Sequence, residues 1–139
     1  MAKQFSAQVD DWVKKSQKRM ERVAKTATLA VIEDAQTPVA KGGNMRVDTG
    51  FLRASGQVSL TGIPSGPSRP PDSGSVTDRS DAEAIATIGK AQLGDTIWFG
   101  WVAGYARFRE VFDGFLGLSI QRWQEHVDAA VRKVKSQDD

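Results

Sequence analysis

The chain has no cysteine and one histidine, and these two scarcities narrow its chemistry before any motif is read. Without cysteine there is no disulfide framework, no thiolate nucleophile and no Cys-based zinc site. That composition is compatible with a reducing compartment. With His126 as the sole imidazole, a metal lacks a second nitrogen ligand. A serine-type triad would have to be built around this one helical residue. Charge of one sign is lacking too: 19 basic against 17 acidic residues leave a net charge of +2, which neither demands nor excludes a nucleic-acid partner. No apolar run approaches the roughly 20 residues needed to cross a bilayer. Residues 1–6 are polar and lack the apolar segment of a secretory signal. No membrane partner, metal, cofactor or enzymatic activity is expected.

What is present is ordinary globular composition. The 139 residues are 40% hydrophobic and 26% charged, enough for one domain around one core. From residue 5 to 36 apolar side chains recur at helical spacing: Phe5, Val9, Trp12, Met20, Val23, Ala27 and Val31, with Ser16 as a polar interruption. Pro38 ends this helix, because the residue before a proline is pushed out of the α region. At 1.5 Å per residue the helix is about 45 Å long, more than a domain this small can cover. Part of its stripe is therefore expected to pack on something else, such as a neighbouring subunit.

A glycine-punctuated connector spans residues 39–50, and residues 51–60 read as a strand. Residues 61–80 mark the clearest break: 12 of the 20 are Gly, Pro or Ser, with Pro70 and Pro71 at the centre. Such a segment buries too little apolar surface to offset the entropy of ordering, so a long flexible loop is expected. Residues 84–88 and 96–102 read as two more strands, with Gly94-Asp95 as a hairpin turn between them. Residues 105–112 fit either a strand end or a short helix. Residues 116–134 fit one amphipathic helix, with Leu116, Ile120, Trp123, Val127, Ala130, Val131 and Val134 on a face. The expected fold is α+β: a long N-terminal helix, a small antiparallel sheet of three to four strands, and a C-terminal helix packed on the sheet.

Asp48-Thr49-Gly50 is the most pointed chemical motif, because Asp-Thr-Gly is the catalytic triplet of aspartic proteases. Two copies in a homodimer would share one proton. Even Ile88-Gly89-Lys90 echoes a second element of dimeric viral proteases. Against this, those enzymes resemble β-barrels, whereas half of this chain patterns as helix. Arg46-Val47 stand where an apolar strand should lead in, and Phe51 where a small residue should follow. No flap-like hairpin is evident. The simpler reading makes Asp48 a turn-former and gives Gly50 its permissive backbone. Gly42-Gly43 is not followed by the Lys-Ser/Thr of a phosphate loop.

Two further features concern partners. Lys14, Lys15, Lys18, Arg19, Arg22 and Lys25 form a basic face with a single acid, Glu21, among them. It suits DNA phosphates or an acidic surface, or is simply solvated. No aromatics interleave it as single-strand binding would need. The tryptophans Trp12, Trp98, Trp101 and Trp123 are the other feature. Trp98 and Trp101, three apart, cannot both face one side of a regular strand. Either one faces solvent or a partner, or a bulge brings both inward. Trp12, Trp98, Trp101 and the Pro70-Pro71 loop are the candidate interface residues.

Two blocks complete the reading. Val47-Asp48-Thr49-Gly50-Phe51-Leu52-Arg53-Ala54-Ser55 is followed some fifty positions on by Tyr105-Ala106-Arg107-Phe108-Arg109-Glu110, and then by Phe115-Leu116. In this order the set resembles the HK97 gp10-like family of tailed-bacteriophage neck and tail-completion proteins, with Arg46 in place of the usual proline. The resemblance implies a structural virion protein forming a ring at the head–tail junction. Its partners would be a connector, adaptor or stopper, the tail terminator and the tail tube. DNA would pass nearby without specific binding. It further implies that Asp48 and Arg53 hold a turn, and that Tyr105, Phe108 and Glu110 anchor the sheet or a subunit contact. A tail terminator is the neighbouring role. A DNA-binding protein using the basic face is the reading from another class.

Overall fold

A computed structural model describes residues 2–47, 51–66 and 82–138. Helix α1 (Ala2–Gln36) is 35 residues long, about 52 Å at the standard rise. Its periodic stripe and freedom from Gly and Pro explain why it runs unbroken. It stops where expected. Thr37 Oγ1 donates to the Glu33 carbonyl (2.7 Å), and Arg53 Nε donates to the last carbonyl, Gln36 O (3.0 Å). A short 3-10 turn (Val39–Lys41) then doubles the chain back, with Val39 N–H on the Met45 carbonyl (3.0 Å) and Met45 N–H on the Thr37 carbonyl (3.2 Å). This return needs Gly43. A Cβ there would lie 2.0 Å from the Thr37 carbonyl oxygen, a position no side chain can take.

Residues 51–60 are not one strand. Phe51–Ala54 form a helical turn, α2, and only Gly56–Ser59 form strand β1. Phe51 and Leu52 are both buried, which neighbouring residues on a half-buried strand could not be. Strand β2 (Trp98–Trp101) pairs antiparallel with β1, Gly56 opposite Trp101 and Ser59 opposite Trp98. Among the described residues the sheet thus has two strands, not three to four.

The missing strand is a helix. Residues 84–88 lie in α3 (Ala82–Gly89), with Ile88 buried and Ile85 exposed. Five residues of alternation also satisfy an i, i+4 pair, Ala84 and Ile88, and alanine favours the helix. Lys25 Nζ donates to the Gly89 carbonyl (2.9 Å), placing a cation at the C-terminus of α3. Gly94 (φ +97°) and Asp95 still make a turn, but it follows α3 and is no β-hairpin. Asp95 Oδ2 accepts from Gln92 N–H (2.7 Å).

Residues 105–112 resolve as helix: α4 spans Ala106–Asp113 with Tyr105 just before it and Gly114 (φ +63°) ending it. The expected helix over 116–134 is two, α5 (Phe115–Gln121) and α6 (Trp123–Asp138), interrupted at Arg122. Helix α6 lies antiparallel along α1, not on the sheet. Arg122 meets Asp34 at one end, and Arg22 donates to Gln137 Oε1 (2.7 Å) at the other. Ser119 is fully buried where α5 meets α1, donating to the Val31 carbonyl (2.9 Å). The core is Met45, Phe51, Leu52, Ala103, Ala106 and Phe115, with Trp101 and Leu116 packed against it. The Trp101 ring meets Phe115 edge-on at 4.8 Å.

Candidate assembly interface

The two sequence blocks meet in space. Phe51 and Leu52 from the first share the core with Ala106 from the second, and the Phe51 and Tyr105 rings lie 6.4 Å apart. Val102 N–H also donates to the Ser55 carbonyl (3.2 Å). Arg53 fastens this unit to the end of α1. Asp48, Thr49 and Gly50 lie outside the described residues, as do Pro70 and Pro71; Val47 is exposed.

Glu110 has a definite task. Its carboxylate accepts from Leu116 N–H and Gly117 N–H, both at 2.8 Å. These are unpaired first-turn donors of α5, where a negative charge also suits the helix dipole. Glu110 thus fixes the corner between α4 and α5 and does not anchor the sheet. Phe108 does not anchor it either. Phe108, Val111 and Phe112 are exposed on α4, the two rings 4.9 Å apart, with Tyr105 partly exposed beside them. Arg109 grips Asp113 four residues on, its Nε 3.0 Å from Oδ2.

The tryptophans separate. Trp101 points to the core, and its Nε1–H is buried with no hydrogen-bond partner among the described residues. Trp98 is exposed, so alternation on β2 holds and no bulge is needed.

A row of exposed apolar side chains runs along α1. Residues 4–20 project as an arm with Phe5 and Trp12 each 68% exposed, Met20 58% exposed, and Val9 and Val13 also open. On the same stripe Ala27 is fully buried. The difference is α6, whose last turn lies beside Arg22, where Gln137 accepts from the guanidinium. Where the arm joins the body, a groove of about 670 Å³ runs between α1 and α6, walled by Met20, Val23, Ala27, Trp123, Val127 and Val131. Arg19 and Lys135 are its charged lining residues.

The basic face divides along its length. Lys25 pairs with Glu21 (2.9 Å) and holds the end of α3, and Arg22 is engaged with Gln137. Lys14, Lys15 and Lys18 are exposed on the arm with Arg19, and Lys15 pairs with Asp11 (3.3 Å).

A cluster with no sequence signal ties α6 to α1. Arg122 Nε lies 3.1 Å and His126 Nε2 3.3 Å from Asp34 Oδ2, bridging about ninety residues of chain. Burial pushes the Asp34 carboxyl up. Hydrogen bonds from Arg122 and His126, together with the Arg122 charge, more than offset this and hold it below the usual value. His126 is half-buried in this cluster. No group of three metal-ligating side chains and no helix long and apolar enough to cross a membrane occurs among the described residues.

Compared with protein-family models, curated proteins and solved structures, the chain matches none.

Proposed function

We propose that this chain is a structural protein that acts by assembly, forming a ring at the head–tail junction of a tailed bacteriophage that joins the capsid connector to the tail. The observation that carries the reading is apolar surface on separate elements: Phe5, Val9, Trp12 and Met20 on the arm, and Phe108, Val111 and Phe112 on α4. Open apolar patches mark interaction sites, and a ring subunit needs two faces, one for each neighbour. The motif residues fit the same reading by their work in the scaffold, since Arg53 and Glu110 each hold a corner of the chain. Neighbours of this ring would be the connector, adaptor or stopper on one side and the terminator and tube on the other. Capping the tail tube is the sibling role. Because Arg22 and Lys25 already serve intramolecular contacts, the basic face suits the passage of DNA better than its specific capture.

Disrupting the gene in its phage and imaging the lysate tests the proposal. Full heads beside unattached tails are expected; intact virions in normal number would sink it. Tight, steeply salt-dependent binding of DNA by the isolated chain would favour the basic face instead.

A further inference from the structure

We propose that the groove between α1 and α6 is a binding site for a free fatty acid, a single alkyl chain ending in a carboxylate. The inference rests on the walls and the charged lining of the groove, not on the head–tail reading. It leaves Phe5, Val9 and Trp12 on the arm, and Phe108, Val111 and Phe112 on α4, open to neighbouring subunits.

Each helix gives the groove one wall. Met20, Val23 and Ala24 come from α1. The α6 wall is Trp123, Val127, Val131 and Lys135, a row at steps of four down one side of the helix. None of these seven side chains is fully buried, so a ligand can reach them all. The row runs about 18 Å from Trp123 to Lys135 at the standard rise. The volume of about 670 Å³ falls within the roughly 300–1,000 Å³ of small-molecule sites, which are mostly apolar with a few polar groups. A slot that is long, apolar and open along its side suits one extended alkyl chain.

Charge in the groove has one sign and sits at one end. Its charged lining residues are Arg19 and Lys135, and no carboxylate lines it among the described residues. Arg22 meets Gln137 at the last turn of α6. Lys135, just before Gln137, and Arg19, one turn toward the arm, therefore lie at that same end. Trp123 lies at the other, next to Arg122, which reaches Asp34. The Lys135 ammonium has no ion-pair partner among the described residues. A carboxylate at this end gains charge-assisted hydrogen bonds, while its alkyl chain covers the apolar row as far as Trp123. Cationic at one end and apolar along the rest, the groove selects an anionic single-chain amphiphile over a neutral oil or a basic helix.

Titration calorimetry of the full chain with dodecanoate, below its micelle concentration, tests the proposal. A single dodecanoate per chain is expected to bind, with a Kd of about 1–100 μM. Dodecanol, the same chain without the charge, should bind about tenfold more weakly. Lys135→Gln alters an exposed side chain and should keep the wild-type circular dichroism. It should weaken dodecanoate by about tenfold and leave dodecanol unchanged, a difference that a merely structural role would not produce. Methyl NMR locates the ligand: signals of Val23, Val127 and Val131 should shift, and those of Val9 and Val111, on the exposed faces of the arm and α4, should not. Four results would each overturn the proposal: no saturable binding by the wild-type chain, dodecanol binding as tightly as dodecanoate, Lys135→Gln weakening both alike, or shifts centred on Val9 or Val111.

Discussion

The two halves of helix α1 carry the same apolar stripe and meet opposite fates. From Val23 onward the stripe lies against α6, and Ala27 and Ala35 are fully buried. From Met20 back to Phe5 it is open, and it carries two aromatic rings where the covered half has none. Burial here therefore does not follow hydrophobicity. It follows whether a second helix happens to lie alongside, and the last turn of α6 lies beside Arg22. A stripe richest in aromatic surface where nothing of the described fold covers it is a signature of association, since single apolar residues on a surface are common but a contiguous row is not.

That contrast can be broken by substitution. The largest effect is expected at the core: Phe115→Ala should cost about 3–5 kcal/mol in urea unfolding, because a fully buried ring that packs on Trp101 leaves a cavity. On the stripe itself, Ala27→Asp should cost about 3 kcal/mol or more by placing a carboxylate in a fully buried site. The matching change on the arm, Val9→Asp, should stay within about 0.5 kcal/mol in dilute protein. If both cost the same, the arm is not free in solution. If the Val9 cost grows with protein concentration, mass action through association is responsible.

Asp34→Asn probes what holds α6 on the covered half. A loss of about 1–2 kcal/mol is expected at neutral pH, as Arg122 and His126 lose their shared carboxylate. The folded carboxyl sits below its usual value, so its contribution is complete above the unfolded value of about 3.9. It is lost as pH falls through the lower folded value. Wild type and variant should therefore converge in stability in acid. Divergence that persists well below that range would show that the carboxylate charge is not what matters. The smallest effect is expected from Glu110→Gln, about 1 kcal/mol, because an amide oxygen can still accept one of the two N–H groups but no longer offers charge to the α5 terminus.

Much of this was legible in the residues. Helical spacing and Pro38 located α1 and its end, and its excess length foretold the uncovered stretch. The two motif blocks were picked out as a set, and Phe51, Leu52 and Ala106 from them meet in the core. The strand assignments fared worse for an identifiable reason. Four or five residues cannot separate a period of 2 from a period of 3.6, so Ala84-Ile85-Ala86-Thr87-Ile88 passed as a strand although it is α3. Phe51-Leu52 illustrates the same ambiguity at the start of β1. The break at Arg122 had no signal either, because no proline or glycine marks it. It occurs where Arg122 turns to Asp34.

The sequence by itself determined the long helix, its apolar stripe with the Ser16 interruption, its end at Pro38 and the absence of thiol chemistry, because each depends on local backbone geometry or composition. Only the tertiary structure decided which part of the stripe is covered, which tryptophan faces outward, that Glu110 caps α5, and that Asp34 gathers Arg122 and His126. The Glu110 cap spans only six or seven residues but needs the sharp corner between α4 and α5; the others depend on which distant segments come to lie together, and no local spacing encodes a contact made across ninety residues.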